Sequence, residues 1–193
     1  MHAISRGVSV SYLSHMSRLI ALDASVYHEL MKKNLSLRYC VLNVFVTGLI
    51  YGISSAWITK SMNFAATSGD AVVFNPLAVI LVGVSLAFLI HGGTALFIWV
   101  FCKGIGGCAQ FMLPYLNLGI ASVVLWPLLP VVALFQVGLR YWVLDIYLVI
   151  FSIFSMIAFY VAVKCVSGLS TTKMVIAFAG TIVYIACFLY LWS

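Results

Sequence analysis

The sequence predicts an all-α, polytopic membrane protein, with five transmembrane helices preceded by an N-terminal amphipathic cytoplasmic segment. Three observations predict it. Charged residues make up only 7% of the 193-residue chain and hydrophobic ones 65%, whereas soluble domains carry roughly a quarter charged residues. The apolar residues run in blocks about twenty long, enough to cross a hydrocarbon core of about 30 Å at about 1.5 Å per residue. None of these blocks has the short alternating pattern of a membrane barrel, which leaves the helix as the way to satisfy every backbone group inside lipid.

Residues 1–38 precede the first block. No apolar run ending in a small-residue cleavage site follows Arg6, so no signal peptide is expected. Leu13, Met16, Ile20, Tyr27, Leu30 and Met31 recur close to helical spacing, with Arg18, Glu29, Lys32 and Lys33 mostly between them. Asp23 suits the N-cap of a short helix reaching Lys33. Glu29 stands four residues before Lys33, and the two lysines occupy the favourable C-terminal end. Two readings stay open. The segment is an amphipathic helix on the membrane surface, its basic residues toward anionic lipid, or a polar lead-in packed against the bundle's own loops.

The five crossings are expected at 39–57, 76–101, 115–137, 141–163 and 174–192. The second exceeds what a crossing needs, so it tilts or extends beyond the hydrocarbon. Orientation follows from lysine and arginine. Arg6, Arg18, Lys32, Lys33, Arg38, Lys103, Lys164 and Lys173 fall on one side, and only Lys60 and Arg140 on the other. Eight against two places the N-terminus in the cytoplasm and Ser193 outside. The formal charge of +6 is thus a topology signal. Nucleic-acid binding would require a clustered basic face with stacking residues, and none is visible.

Small residues mark the helix faces expected to pack. Gly48 and Gly52 form a GxxxG pair continued by Ala56, and Gly83, Ala87, His91 and Ala95 follow one another at four-residue spacing. Such lines let backbones approach closely, either within one bundle or at a partner interface. The chain's most unusual stretch comes next. Gly104, Gly106 and Gly107 lie between two apolar blocks, where a tight turn with at least one positive φ is expected. Pro127 and Pro130 fall inside the third crossing. They should kink it and free the Val123 or Trp126 carbonyl for a partner outside its own helix.

No set of residues amounts to an active site. His91 is the only histidine within a crossing, since His2, His15 and His28 all lie in the N-terminal segment. It reads as a hydrogen-bonded interhelical residue or, at most, a single axial ligand. Asp145 is the only acid within a crossing, one turn in from Arg140. It marks an ion path or simply turns toward Arg140 or Tyr141. Cys40, Cys102, Cys108 and Cys165 fall at the cytoplasmic boundary and Cys187 near the other face. The Cys102–Cys108 spacing is not that of a structural zinc site, and free thiols are expected, with metal binding or palmitate the alternatives. The glycine cluster has no strand before it and no GK[ST] after it, so it is not a phosphate loop. No catalytic residue, metal, cofactor or soluble substrate is therefore expected.

The helix that runs into Lys103-Gly-Ile-Gly-Gly107, then Phe111 and a second, proline-bearing helix resembles the middle of the Yip1 family in its prokaryotic form. Leu22-Asp-Ala-Ser-Val-Tyr27 before the first crossing and Gly168-Leu-Ser-Thr-Thr-Lys173 before the last are similar to that family's pattern. The resemblance spans roughly residues 19–191. It implies five crossings with a cytoplasmic N-terminus, in a bacterial or archaeal cell membrane. Eukaryotic members are linked to Rab GTPases through a longer N-terminal cytosolic region with an Asp-Leu-Tyr-Gly-Pro-like motif. This chain lacks both, so a Rab role is not implied. The expected function is that of a non-enzymatic membrane scaffold or adaptor working through helix and lipid contacts. The alternatives are a small accessory subunit of a larger membrane complex, whose other subunits would be its partners, or a small-solute or ion transporter.

Overall fold

The computed structural model describes residues 3–65, 75–107 and 110–192. Among them every regular element is helical: α1 (Ala3–Ile20), α2 (Ser25–Lys32), α3 (Ser36–Ala65), α4 (Pro76–Gly104), α5 (Met112–Ala121), a 3-10 turn (Ser122–Leu125), α6 (Leu129–Gln136), α7 (Trp142–Ser167) and α8 (Thr171–Trp192). Three stretches are long and apolar enough to cross a membrane, namely Ser36–Ser61 of α3, α4 and α7. The α5–α6 unit makes a fourth if its two arms count as one span. In α8, Thr171–Val183 is an apolar stretch among the described side chains.

The N-terminal segment forms two helices, and the hairpin they make packs on the bundle itself. Met16 and Leu19 of α1 and Val26, Tyr27 and Leu30 of α2 are buried in one cluster with Ile120, Val123 and Val124, and with Ala158 and Ala162 of α7. Asp23 does not cap α2 as expected. The helix begins at Ser25 after an uncapped Ala24, and the Asp23 carboxylate accepts from the Ser25 N–H (2.9 Å) and hydroxyl (2.6 Å) instead. The hairpin turn closes on Leu22 at φ 61, with Leu22 N–H donating to the Leu19 carbonyl and Asp23 N–H to that of Arg18. This pattern usually recruits glycine at the left-handed position, which is why the turn was not visible in the sequence.

α4 has the start and stop signals its sequence promises. Asn75 Oδ1 accepts from the Leu77 and Ala78 N–H groups at 3.1 and 3.3 Å, with Pro76 in the first turn. At its far end Gly106 adopts φ 90, its N–H donating to the Lys103 carbonyl (3.1 Å) and that of Gly107 to Cys102 (2.7 Å). Gly107 is fixed differently: a Cβ there would meet the Cys102 carbonyl oxygen at 2.7 Å.

The stretch expected as the third crossing is broken where a kink was expected. The α5 and α6 arms meet at 74°. The prolines remove two donors, and the chain answers by tightening into 3-10 geometry before the break. The Val123 carbonyl is accordingly not freed for a neighbour, because Trp126's own N–H donates to it at 3.2 Å. The carbonyl that reaches another helix is that of Pro127, which accepts from the Tyr147 hydroxyl at 3.0 Å.

Candidate functional site

The site starts from the glycine lines. Gly48 and Gly52 of α3 face Gly83 and Ala87 of α4 so closely that a Cβ on Gly48 would stand 2.6 Å from Val84 Cα, and one on Gly52 2.8 Å from Ile80 Cα. α3–α4 is the most extensive helix pair. These faces are therefore occupied within the chain. One turn beyond Ala87, His91 lies against Tyr115 with ring centroids 4.5 Å apart, and its Nε2 is 3.7 Å from Cys40 Sγ. Cys40 is 1% exposed and seated on Gly119, where a Cβ would collide with the sulfur.

A ladder of polar side chains holds the broken helix against α3. Asn43, fully buried, donates from Nδ2 to the Ile120 carbonyl at 2.8 Å and accepts the Tyr12 hydroxyl at 2.6 Å. One turn on, the Thr47 hydroxyl donates to the Asn43 carbonyl (2.7 Å), accepts from Trp126 Nε1 (3.2 Å) and lies 3.4 Å from Ser122 Oγ. Another turn on, the Tyr51 hydroxyl donates to Gln136 Oε1 at 2.6 Å. Thus α3 carries three polar residues at four-residue spacing, one for each part of the break. In an apolar segment such groups stay only where they find partners.

Above this ladder lies a cavity of about 330 Å³. α3 forms its floor through Val44, Thr47 and Tyr51; α4 supplies Leu86, Ile90 and His91; the broken helix supplies Leu125, Leu129, Val132 and Gln136. Its surface is mostly apolar, with Thr47, Tyr51, His91, Thr94, Ser122 and Gln136 as the polar residues and no Asp, Glu, Lys or Arg among the described residues that line it. Among the described residues α4 packs on α3, α5 and α8 without any comparable contact to α6 or α7. Ile90, on the wall, is 62% exposed, so the cavity opens sideways between α4 and α6 toward whatever surrounds the bundle.

The second polar centre is in the hairpin. His15 is buried between the Tyr39 hydroxyl (Nδ1, 2.9 Å) and Glu29 (Nε2, 3.2 Å). Arg18 bridges Asp23 and Glu29, each at 2.8 Å, and Lys33 reaches Glu29 at 2.7 Å. Lys33, Arg18 and His15 hold the Glu29 carboxyl down at about 2, and Ser25 and Arg18 do the same for Asp23. Burial pushes the Tyr12 and Tyr27 phenols up. The pairs are partly exposed and individually weak. Together they tie α1 to α2.

The remaining predicted residues lie elsewhere. Asp145 is exposed in the first turn of α7, where the helix dipole favours an acid. It forms no ion pair with Arg140, whose guanidinium lies 5.6 Å from the Phe135 ring centre. Gly104, Gly106 and Gly107 stay at the α4 turn, away from the cavity. Pro127 is exposed at the break, and Pro130 sits in the first turn of α6. Cys102 is buried and Cys165 half-buried, and Cys108 lies outside the described residues. No group of three or more His, Cys, Asp or Glu converges among the described residues. The sequence reading missed Asn43, Thr47, Tyr51 and His15. A lone asparagine in an apolar block was the available signal for the first.

Fold and cavity together define a multi-pass helical membrane protein with a broken helix beside an apolar chamber. No family model, curated protein or solved structure matches the chain. The Yip1 resemblance rests on the residues quoted for it.

Proposed function

We propose that the chain is a non-enzymatic, Yip1-like integral membrane protein of five spans, with a cytoplasmic N-terminus and external C-terminus, acting as a scaffold or adaptor. The observation that carries this reading is the α1–α2 hairpin. It is tied to the bundle by His15–Tyr39 and Tyr12–Asn43, at the level of the second turn of α3. Its outer face leaves Leu13 and Ile20 at 68% and 50% exposure, and Lys32 and Arg38 are exposed nearby. A rigid platform with apolar and basic groups at the membrane boundary suits contact with anionic lipid or with a partner. The small-residue lines no longer support an outward interface, since α3 and α4 use them on each other.

The non-enzymatic part of the reading rests on Cys40 and His91. They are the nearest approach to a nucleophile and base, yet Cys40 is sealed behind Gly119. The accessory-subunit reading keeps one specific observation. Only 6% of α4's apolar window is buried, against 39% for α3, which leaves room for a neighbouring helix. A photo-crosslinker at Leu13 or Ile20 in native membranes tests the proposal. Adducts with lipid or with varied partner chains support a scaffold. A single chain in fixed ratio selects the accessory subunit, and no adduct at either position refutes the platform.

A further inference from the structure

We infer that the cavity beside the broken helix is a binding site for one hydrocarbon chain ending in an uncharged carbonyl or hydroxyl head, entering sideways between α4 and α6. Three observations choose this occupant. The first is charge: an anionic or cationic group inside would have no counter-ion, because no acid, lysine or arginine lines the wall and the one imidazole, His91, already faces Cys40. The second is access. The gap between α4 and α6 with exposed Ile90 on its edge opens across the helix axes, the direction from which a membrane chain arrives and a water-soluble solute does not.

The third is the position of the polar groups. They line the wall at several levels, but the Thr47, Ser122 and Tyr51 hydroxyls donate within the protein, to the Asn43 and Gly119 carbonyls and to Gln136. Tyr51 and Gln136 stand together at the α6 end, where Gln136 is exposed. Tyr51 donates to Gln136 Oε1, which leaves the Gln136 amide nitrogen as a donor on an exposed side chain of the wall. A head with a carbonyl or hydroxyl oxygen can accept from it, while the chain lies along Leu86, Ile90, Leu129 and Val132. At about 330 Å³ the space lies at the small end of ligand pockets, which run from roughly 300 to 1,000 Å³, and suits one chain. The same chemistry is offered by a monoacyl lipid and by one ester-linked chain of a phospholipid.

The test uses the full chain in nanodiscs and a monoacylglycerol carrying a diazirine in its chain, with crosslinked peptides mapped by mass spectrometry. Saturable labelling of α4 near Ile90 and of α6 near Val132 is expected, displaced by unlabelled monoacylglycerol. Displacement by phosphatidylcholine as well would identify the phospholipid chain as the source. Val132→Phe fills the chamber and should reduce labelling to the non-saturable background. Gln136→Leu should keep labelling by a bare alkyl diazirine and weaken that by the headed probe. If Val132→Phe does not elute as a monodisperse species, Ile90→Phe replaces it. Labelling that is non-saturable and equal on outward positions such as Leu77 and Val100, or unchanged in the filled variant, overturns the site. Neither outcome touches the scaffold reading, which rests on the hairpin.

Discussion

The contact between α3 and α4 makes a prediction in which one substitution takes opposite signs at two places on one helix. A Cβ on Gly83 would lie 2.8 Å from Gly52 Cα and 3.0 Å from Gly52 N, whereas non-bonded carbons rest at about 3.5–4.0 Å. Backbone atoms cannot rotate away, so Gly83→Ala has to push the helices apart by roughly 1 Å. Overpacking of this kind costs about 1–3 kcal/mol. Alanine returns about 1 kcal/mol of helix propensity over glycine, so the net loss at Gly83 is up to about 2 kcal/mol. At Gly92, nine residues further along α4, a Cβ meets nothing within 4 Å. Gly92→Ala should therefore gain up to about 1 kcal/mol. The propensity gain is common to both variants, so the difference between them isolates the overpacking, about 1–3 kcal/mol. Thermal unfolding of both proteins in one detergent at one scan rate measures it. Gly83→Ala melting at or above Gly92→Ala would refute the close approach of the two backbones.

Other measurements probe the remaining features. Asn43→Leu leaves the Ile120 carbonyl and Tyr12 hydroxyl without their partner and should destabilise by about 1–3 kcal/mol; an unchanged melting temperature would mean that water or a neighbour replaces the amide. Gly106→Ala places a side chain at φ 90 with no clash, so it should lose about 1–2 kcal/mol from backbone strain alone, while Gly104→Ala should be neutral or slightly stabilising in the same melt. Glu29 and Asp23 are held at about 2 from ordinary values of 4.5 and 3.8. Their contribution is present above those ordinary values and lost as pH falls toward about 2. Cys165, whose Sγ sits 3.9 Å from the Ala24 carbonyl under the hairpin, should then react faster with 4,4′-dithiodipyridine relative to a free thiol at the same pH as pH drops through this window, and Glu29→Gln should blunt that relative change. For topology, a cysteine at Lys32 should label only with membrane-permeant reagents and one at Arg140 with impermeant ones; the reverse pattern would overturn the orientation drawn from the basic residues.

The apolar blocks carried α3, α4 and α7 in the sequence, because length and hydropathy are local properties. The α4 turn was equally legible, since only glycine tolerates the conformation Gly106 adopts. The turn after α1 was hidden for the opposite reason: it uses Leu22, and what pins α1 are Tyr39 and Asn43, distant along the chain. Pro127 and Pro130 announced a disturbance without its size. The 74° follows from a 3-10 stretch whose stabilising groups, Thr47 and Tyr147, belong to other helices. The cavity was not legible at all. It depends on where α6 points after the break, which no periodicity encodes.

That dependence links the features the sequence lists separately. Two prolines remove donors from the third crossing, and a 3-10 turn takes up part of the loss. Side chains then fasten the broken helix to its neighbours: Asn43 at the Ile120 carbonyl before the break, Trp126 Nε1 on Thr47 at the break, and Tyr147 at the Pro127 carbonyl after it. A break fastened at three levels holds one angle. With that angle held, α6 leaves the α5 axis and stands away from α4, whose own position is fixed by the glycine contact to α3. The chamber is the space between these two fixed directions. Loosening any fastening should therefore alter the chamber before it alters the spans. Thr47→Val, which removes the Trp126 partner at nearly constant volume, should change diazirine labelling of Val132 while leaving labelling at outward Leu77 as it was. Equal changes at both positions would mean that the break and the chamber are independent.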